Sequence, residues 1–228
     1  MTNIIQINDE LHHLADEPYR RFISRLVPGV DDIIGVRMPA LRRLAKALAK
    51  EDWRGFLAVA DDSSQEMRLL QGLVIGYAKA DIDEILPYIE AFIPKITNWA
   101  VCDGFAGTLA IARRYPREMW NFLLPCFDST ETYRLRFGAV MLLIYYTDEA
   151  YLAEALALLD QIRHEDYYVK MAVAWAISTF FVRFPYRTMP FLLNNNLDDF
   201  THNKALQKIR ESLIPDQETK TLISTLKR

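Results

Sequence analysis

Several columns of residues recur along this chain at a step of about 34 positions. Arg68, Cys102, Arg136, Lys170 and Lys204 form one column, basic in four of its five members. Gln65, Trp99, Tyr133, Tyr167 and Thr201 form a second, and Leu69, Asp103, Phe137, Met171 and Ala205 a third. A register shared by several helix-length segments requires stacked, equivalent helices, so that residues far apart in sequence line one continuous surface. The surface expected here is a ladder of cations with one carboxylate, Asp103, set into it.

Hydrophobic periodicity supports the same architecture. It predicts helices over residues 8–15, 17–26, 39–51, 53–60, 64–79, 82–94, 97–114, 117–126, 131–146, 148–162, 165–184, 186–196, 201–213 and 216–227, with no strand-like alternation. Pro39 starts a helix, whereas Pro116, Pro185 and Pro215 each follow one helical run and precede another. Thr97, Asp128, Ser129, Asp148, Glu165 and Asp216 read as caps or first-turn residues. In each unit a long, nearly all-apolar helix, such as RFGAVMLLIYY or VKMAVAWAISTFFVRF, precedes a shorter amphipathic one, such as AYLAEALALLDQI. A helix apolar on most sides is buried on most sides, which suits an inner row packed against an outer row. The expected fold is all-α: an α-solenoid of HEAT-like antiparallel helix pairs, curved, with a concave face. The step is that of a tetratricopeptide repeat, but the Trp, Leu-Gly and Tyr pattern of that repeat is missing. Residues 1–228 read as one domain, with 1–60 an N-terminal helical cap and 61–228 the repeat array. Residues 27–38, with Pro28, Gly29 and Gly35, are the least regular stretch and read as a loop leading from the N-terminal helices toward the repeats.

Half the residues (51%) are hydrophobic, enough at 228 residues to build a substantial core. The N-terminus lacks the basic and apolar regions of a signal peptide, and no apolar run reaches the roughly 20 residues that span a bilayer. A cytoplasmic location without membrane association is expected. Cys102 and Cys126 fit neither a metal site nor a disulfide framework, and His12, His13, His164 and His202 lack the i, i+4 spacing of a helical zinc site. No metal and no cofactor are expected. A net charge of −3 argues against non-specific polyanion binding by the molecule as a whole, so the placement of the cations matters more than their number.

Trp99 and Asp103 lie four apart on one helical face, and the repeat register brings Trp175 toward the same cleft, with Arg136 and Lys170 displaced around their helices. A carboxylate between two indoles and near a cation is more than solenoid packing requires. Each residue also has a plainer reading. The aromatics can be core, Asp103 can be the ion-pair partner of Arg136 or another base, and the basic residues can be solvated helix edges. Cys102 has no His placed to activate it as a nucleophile.

Four segments in order resemble the AlkD-like DNA alkylation-repair family, bacterial DNA glycosylases built from HEAT-like repeats. GVRMPALRRLAKAL is similar to its N-terminal G-x-x-x-P-x-x-R-x-L stretch, and NWAVCD to its W-D-x-x-D segment, with Trp99 on the Trp and Asp103 on the second acidic residue. YRLRFGAVMLL resembles W-x-x-R-x-A-I, placing Arg136 on the family Arg, and YYVKMAVAWAISTF resembles F-x-x-K-A-I-G-W, placing Trp175 on its Trp. The chain departs from the pattern at Ala100, Phe137 and Met171.

The resemblance implies hydrolysis of the N-glycosidic bond of N3- or N7-alkylated, positively charged purines in duplex DNA, by a monofunctional glycosylase. Asp103 would stabilise the oxocarbenium-like sugar and orient water, as carboxylates do in glycoside hydrolysis. Trp99 and Trp175 would wall the deoxyribose, and Arg136 would hold a phosphate beside the lesion. Arg68, Lys170 and Lys204 would contact the backbone of the duplex, with Arg42, Arg43, Lys46 and Lys208 as further candidates. The expected partner is alkylated duplex DNA, bound by a monomer that requires no protein partner. The alternative is a non-catalytic helical-repeat module that binds branched or damaged DNA, or a protein.

Overall fold

The N-cap side chains of three helices, starting at 65, 99 and 167, keep the repeat spacing of the sequence, the first and second one step apart and the second and third two steps apart. Ser64, Asn98 and Asp166 each accept backbone N–H bonds from the first turn they precede, so the 34-residue step is a step between helix starts. The computed structural model describes residues 3–228, and no strand occurs among them beyond one isolated bridge between Ala15 and Val36. The protein is an all-α chain of the α-solenoid type, in which consecutive helices pack as pairs and the pairs stack. It divides into two compact units after Met119.

The first unit contains α1 (Ile4–His13), α2 (Glu17–Leu26), α3 (Met38–Lys50), α4 (Trp53–Val59), α5 (Gln65–Tyr77), α6 (Ile82–Phe92), α7 (Trp99–Ala106) and α8 (Ile111–Arg114), and the division falls within α9 (Pro116–Leu123). Its stack runs α3, α5, α7. The middle member α5 is buried continuously from Gln65 to Ile75, whereas its pair partner α6 buries only Ile82, Ile85, Ile89 and Phe92, a single stripe at helical spacing. That contrast is the inner and outer row the apolar patterning implies. Gly76 lets α5 approach closely, since a Cβ there would meet the Thr108 hydroxyl at 2.1 Å.

The second unit contains α10 (Thr132–Tyr145), α11 (Leu152–Gln161), α12 (Tyr167–Arg183), α13 (Pro185–Leu193), α14 (Asp199–Glu211) and α15 (Gln217–Thr225). Here the stack runs α10, α12, α14, with α11, α13 and α15 packed beside it. Leu135–Leu143 of α10 are buried without interruption. Each fully buried Leu, Ile or Phe in such a row contributes roughly 1.5–3 kcal/mol.

Helix ends differ from expectation by a few residues in several places, among them α11, which begins at Leu152 rather than 148; the first helix and the run expected at 97–114 differ as well. The first helix begins at Ile4 rather than near residue 8, because Asn3 caps it by accepting from the Ile5 and Gln6 amides. The run expected at 97–114 is broken between Ala106 and Ile111. There the Thr108 hydroxyl and amide both donate to the Phe105 carbonyl, at 2.7 and 2.9 Å, and Ala110 N donates to Thr108 O at 2.7 Å. Tight bonds of this kind replace the helical ladder and end α7 after two turns. The expected caps Thr97 and Glu165 each miss by one residue, Asn98 and Asp166 taking those roles, while Asp216 caps α15.

Residues 27–37 form the expected loop between α2 and α3, held by α5. The Glu66 carboxylate accepts backbone N–H bonds from Ile34, Gly35 and Val36 at 2.9, 2.7 and 3.1 Å. Gly35 has φ +98, and a Cβ there would lie 2.6 Å from the Arg20 Cβ, so the turn excludes larger residues.

Candidate functional site

In the first unit Trp99 opens α7, directly after its cap Asn98, and Asp103 follows one turn later. Trp99 is half-buried against the cluster of Ile23, Val27 and Ile33, and its indole Nε1 donates to the Leu26 carbonyl at 2.8 Å. That carbonyl is in the last turn of α2, where helical partners run out. Packing and polar anchoring thus both apply to Trp99, and its orientation is set by the N-terminal helices rather than by its own. Asp103 is half-buried. Its repeat equivalents Leu69, Phe137 and Ala205 are all at most 5% exposed, and Met171 is half-buried. A carboxylate therefore occupies a register position that elsewhere in the array is apolar and mostly core. Cys102 beside it is fully buried in the core, as is Cys126 in its own unit.

Arg68, on α5, is 6% exposed. Its Nη2 meets Asp32 Oδ2 at 2.5 Å and its Nη1 donates to the Asp62 carbonyl at 2.6 Å, so the guanidinium staples the 27–37 loop and the approach to α5 together. Gln65 N donates to Asp32 O at 3.1 Å and completes the junction. In the same region Arg37 pairs with Asp16 at 2.7 Å and lies 5.0 Å from the Tyr19 ring.

In the second unit Arg136 is also 6% exposed and donates from Nη1 to the Tyr168 carbonyl at 2.7 Å, joining α10 to the first turn of α12. Lys170 reaches Glu165 at 3.0 Å and Asp198 at 3.6 Å. The Glu165 bond and the field of Asp198 raise the Lys170 amine above its ordinary value, while burial works against them. Burial also pushes on Asp198, but bonds from Thr201 and the charge of Lys170 prevail and hold that carboxyl low. Lys204 donates to Gln207 at 3.0 Å and lies 5.7 Å from the Phe200 ring.

Trp175 is 40% exposed on a helix otherwise lined with Ala172, Val173, Ala174 and Ala176 in the core. An exposed indole on the innermost row of a stack is not explained by packing. Tyr167 and Phe200 accompany it as exposed aromatics, their ring centroids 6.1 Å apart.

The basic column therefore divides. Arg68 and Arg136 are enclosed and stitch neighbouring elements, whereas Lys170 and Lys204 are only half-buried. Spacing gave no sign of the Glu66 clamp or of Asp32 under Arg68, because their partners lie in an irregular loop outside the repeat. Among the described residues no group of three or more His, Cys, Asp and Glu side chains could hold a metal ion, and no helix is long and apolar enough to cross a membrane.

Residues 7–209 match the family model described as DNA alkylation repair enzyme, and the chain belongs to that family. No curated protein matches the chain.

Proposed function

We propose that this DNA repair enzyme is a monofunctional glycosylase that releases cationic N3- or N7-alkylated purines from duplex DNA. The observation that carries the reading is Asp103, a carboxylate at a register position otherwise given to apolar residues, one turn from Trp99 on α7. An alkylated purine leaves as a neutral base and leaves deoxyribose with oxocarbenium character. Such a reaction needs negative charge beside C1′ and a positioned water, and no general acid. A half-buried carboxylate interacts with that developing cation more strongly than one in bulk water would.

Trp99 supplies an aromatic face to the sugar, and its bond to Leu26 O holds that face still. Trp175 and the half-buried Lys170 and Lys204 contact the DNA, the lysines through phosphates, which position a duplex without reading its sequence. Arg68 and Arg136, first expected on phosphates, take positioning roles instead, because both are 6% exposed and bonded within the fold, whereas Lys170, though paired with Glu165 and Asp198, and Lys204 keep partial exposure.

The test is release of 7-methylguanine from a defined methylated duplex. Asp103→Asn keeps size and polarity, so binding should survive while excision falls by at least about 100-fold, the usual effect of losing an electrostatic catalyst. Excision at the wild-type rate in that variant would overturn the assignment. Absence of excision by the wild-type protein, with duplex binding retained, would favour the non-catalytic DNA-binding reading, to which the net charge of −3 and the enclosure of two of the four column cations lend weight.

A further inference from the structure

The second unit holds a groove between α14 and α15, of which the proposed duplex contacts use only Lys204. It encloses about 300 Å³, the lower end of the range for small-ligand sites. Phe200, Asn203, Lys204, Gln207 and Arg210 line it from one face of α14, and Ile223, Ser224 and Lys227 from the other side. The floor is apolar, formed by Leu206 at 2% exposure and Ile223 at 0%, while the Phe200 ring at one end remains 39% exposed.

Three cations line this groove and no carboxylate does. Gln207 fixes one of them: its Oε1 accepts from Lys204 at 3.0 Å while its Nε2 donates to Glu211 at 2.7 Å. Glu211 is occupied a second time by Lys208 at 2.9 Å, outside the groove lining. Arg210 is tethered across the groove by a long bond to the Ser224 hydroxyl, 3.4 Å, which leaves its other guanidinium nitrogens to a ligand. Lys204 lies 5.7 Å from the Phe200 centroid, so positive charge and an aromatic face coincide.

We propose that this groove binds a single unpaired nucleotide, with the base on the Phe200 face above Leu206 and Ile223 and the phosphate on Arg210, Lys227 and Lys204. An inorganic anion would have no use for the apolar floor, and a neutral nucleoside none for three cations. A nucleotide matches both, in the way stacking platforms flanked by cations hold single strands. The groove has room for one base and its sugar and none for a paired segment. The nucleotide can be free or the overhanging end of a DNA strand, since both present the same chemistry.

The experiment titrates the full-length protein with dAMP, deoxyadenosine, inorganic phosphate and a glutamate-rich peptide, followed by calorimetry. dAMP should bind saturably, and deoxyadenosine and phosphate at least about tenfold more weakly, since each supplies only half of the recognition. Arg210 and Lys227 are exposed, so the R210A/K227A variant should fold as wild type by circular dichroism and lose at least about tenfold in dAMP affinity. No saturation by dAMP up to about 10 mM, equal affinity in the double variant, or tighter binding of the peptide would each overturn the proposal. A duplex with a one-nucleotide overhang, compared with its blunt form, separates the sources. A preference for the overhang that the double variant lacks assigns the groove to strand ends, and equal binding assigns it to free nucleotides. Asp103→Asn should bind dAMP as wild type does, so the groove and the excision site fail or stand separately.

Discussion

The indole of Trp99 donates to the carbonyl of Leu26 at 2.8 Å, across 73 residues of sequence. One end of the helix that carries Asp103 is thereby tied to the end of α2, and the position of the proposed catalytic segment depends on the N-terminal helices. Trp99→Phe keeps an aromatic face and deletes the donor. It should cost about 0.5–1.5 kcal/mol in urea unfolding, the net worth of one such bond, and should lower the excision rate more than it weakens DNA binding. An unchanged rate would show that the anchor has no part in catalysis.

The division of the basic column gives a paired prediction. Arg68→Met removes two charge-assisted bonds from a nearly enclosed guanidinium and should destabilise the protein by about 2–4 kcal/mol, with little change in how DNA affinity depends on salt. Lys170→Met should instead reduce the slope of log affinity against log salt by about 1, the loss of one phosphate contact. Equal salt slopes in the two variants would contradict the division.

Glu66 is 1% exposed and its carboxylate satisfies three backbone amides of the 27–37 loop. Glu66→Gln exchanges one acceptor oxygen for a donor that faces N–H groups. The loop should then open locally, with faster proteolysis at residues 28–36 and a stability loss of about 2–3 kcal/mol. Limited proteolysis followed by mass spectrometry reads this directly.

His202 is 1% exposed, and burial pushes its imidazole below the ordinary value of 6.5. Nε2 lies 2.9 Å from the Leu226 carbonyl and so carries the proton, which leaves Nδ1 to accept from Asn195 Nδ2 at 3.2 Å. A second proton would face the Asn195 donor. Because the folded-state value is depressed, the unfolded chain binds more protons below 6.5. Stability is therefore full above that pH and declines as pH falls toward the folded-state value. Thermal melts between about pH 7.5 and 5 should show this decline in wild type and a weaker one in His202→Gln.

The two-row architecture was readable, and the helix starts to within about four residues, because both are local: capping residues and apolar periodicity act within a few positions of where they stand. Ser64, Asn98 and Asp166 mark the 34-residue step in the chain and in the fold alike. The break after Ala106 was hidden because the apolar pattern continues through it, while a single hydroxyl, that of Thr108, diverts the backbone.

The sequence alone determined which residues share a register, since equivalent helices repeat their faces. It thereby singled out Asp103 as a carboxylate among apolar equivalents. Only the tertiary structure decided which members of a column meet solvent. Arg68 and Arg136 occupy the same repeat position as Lys170 and Lys204, yet Asp32 and the Asp62 carbonyl cover the first, and the Tyr168 carbonyl engages the second. A helical register specifies the direction in which a side chain leaves its helix. What it finds there is set by loops and helix ends that arrive from outside the repeat, and no spacing within the repeat encodes them.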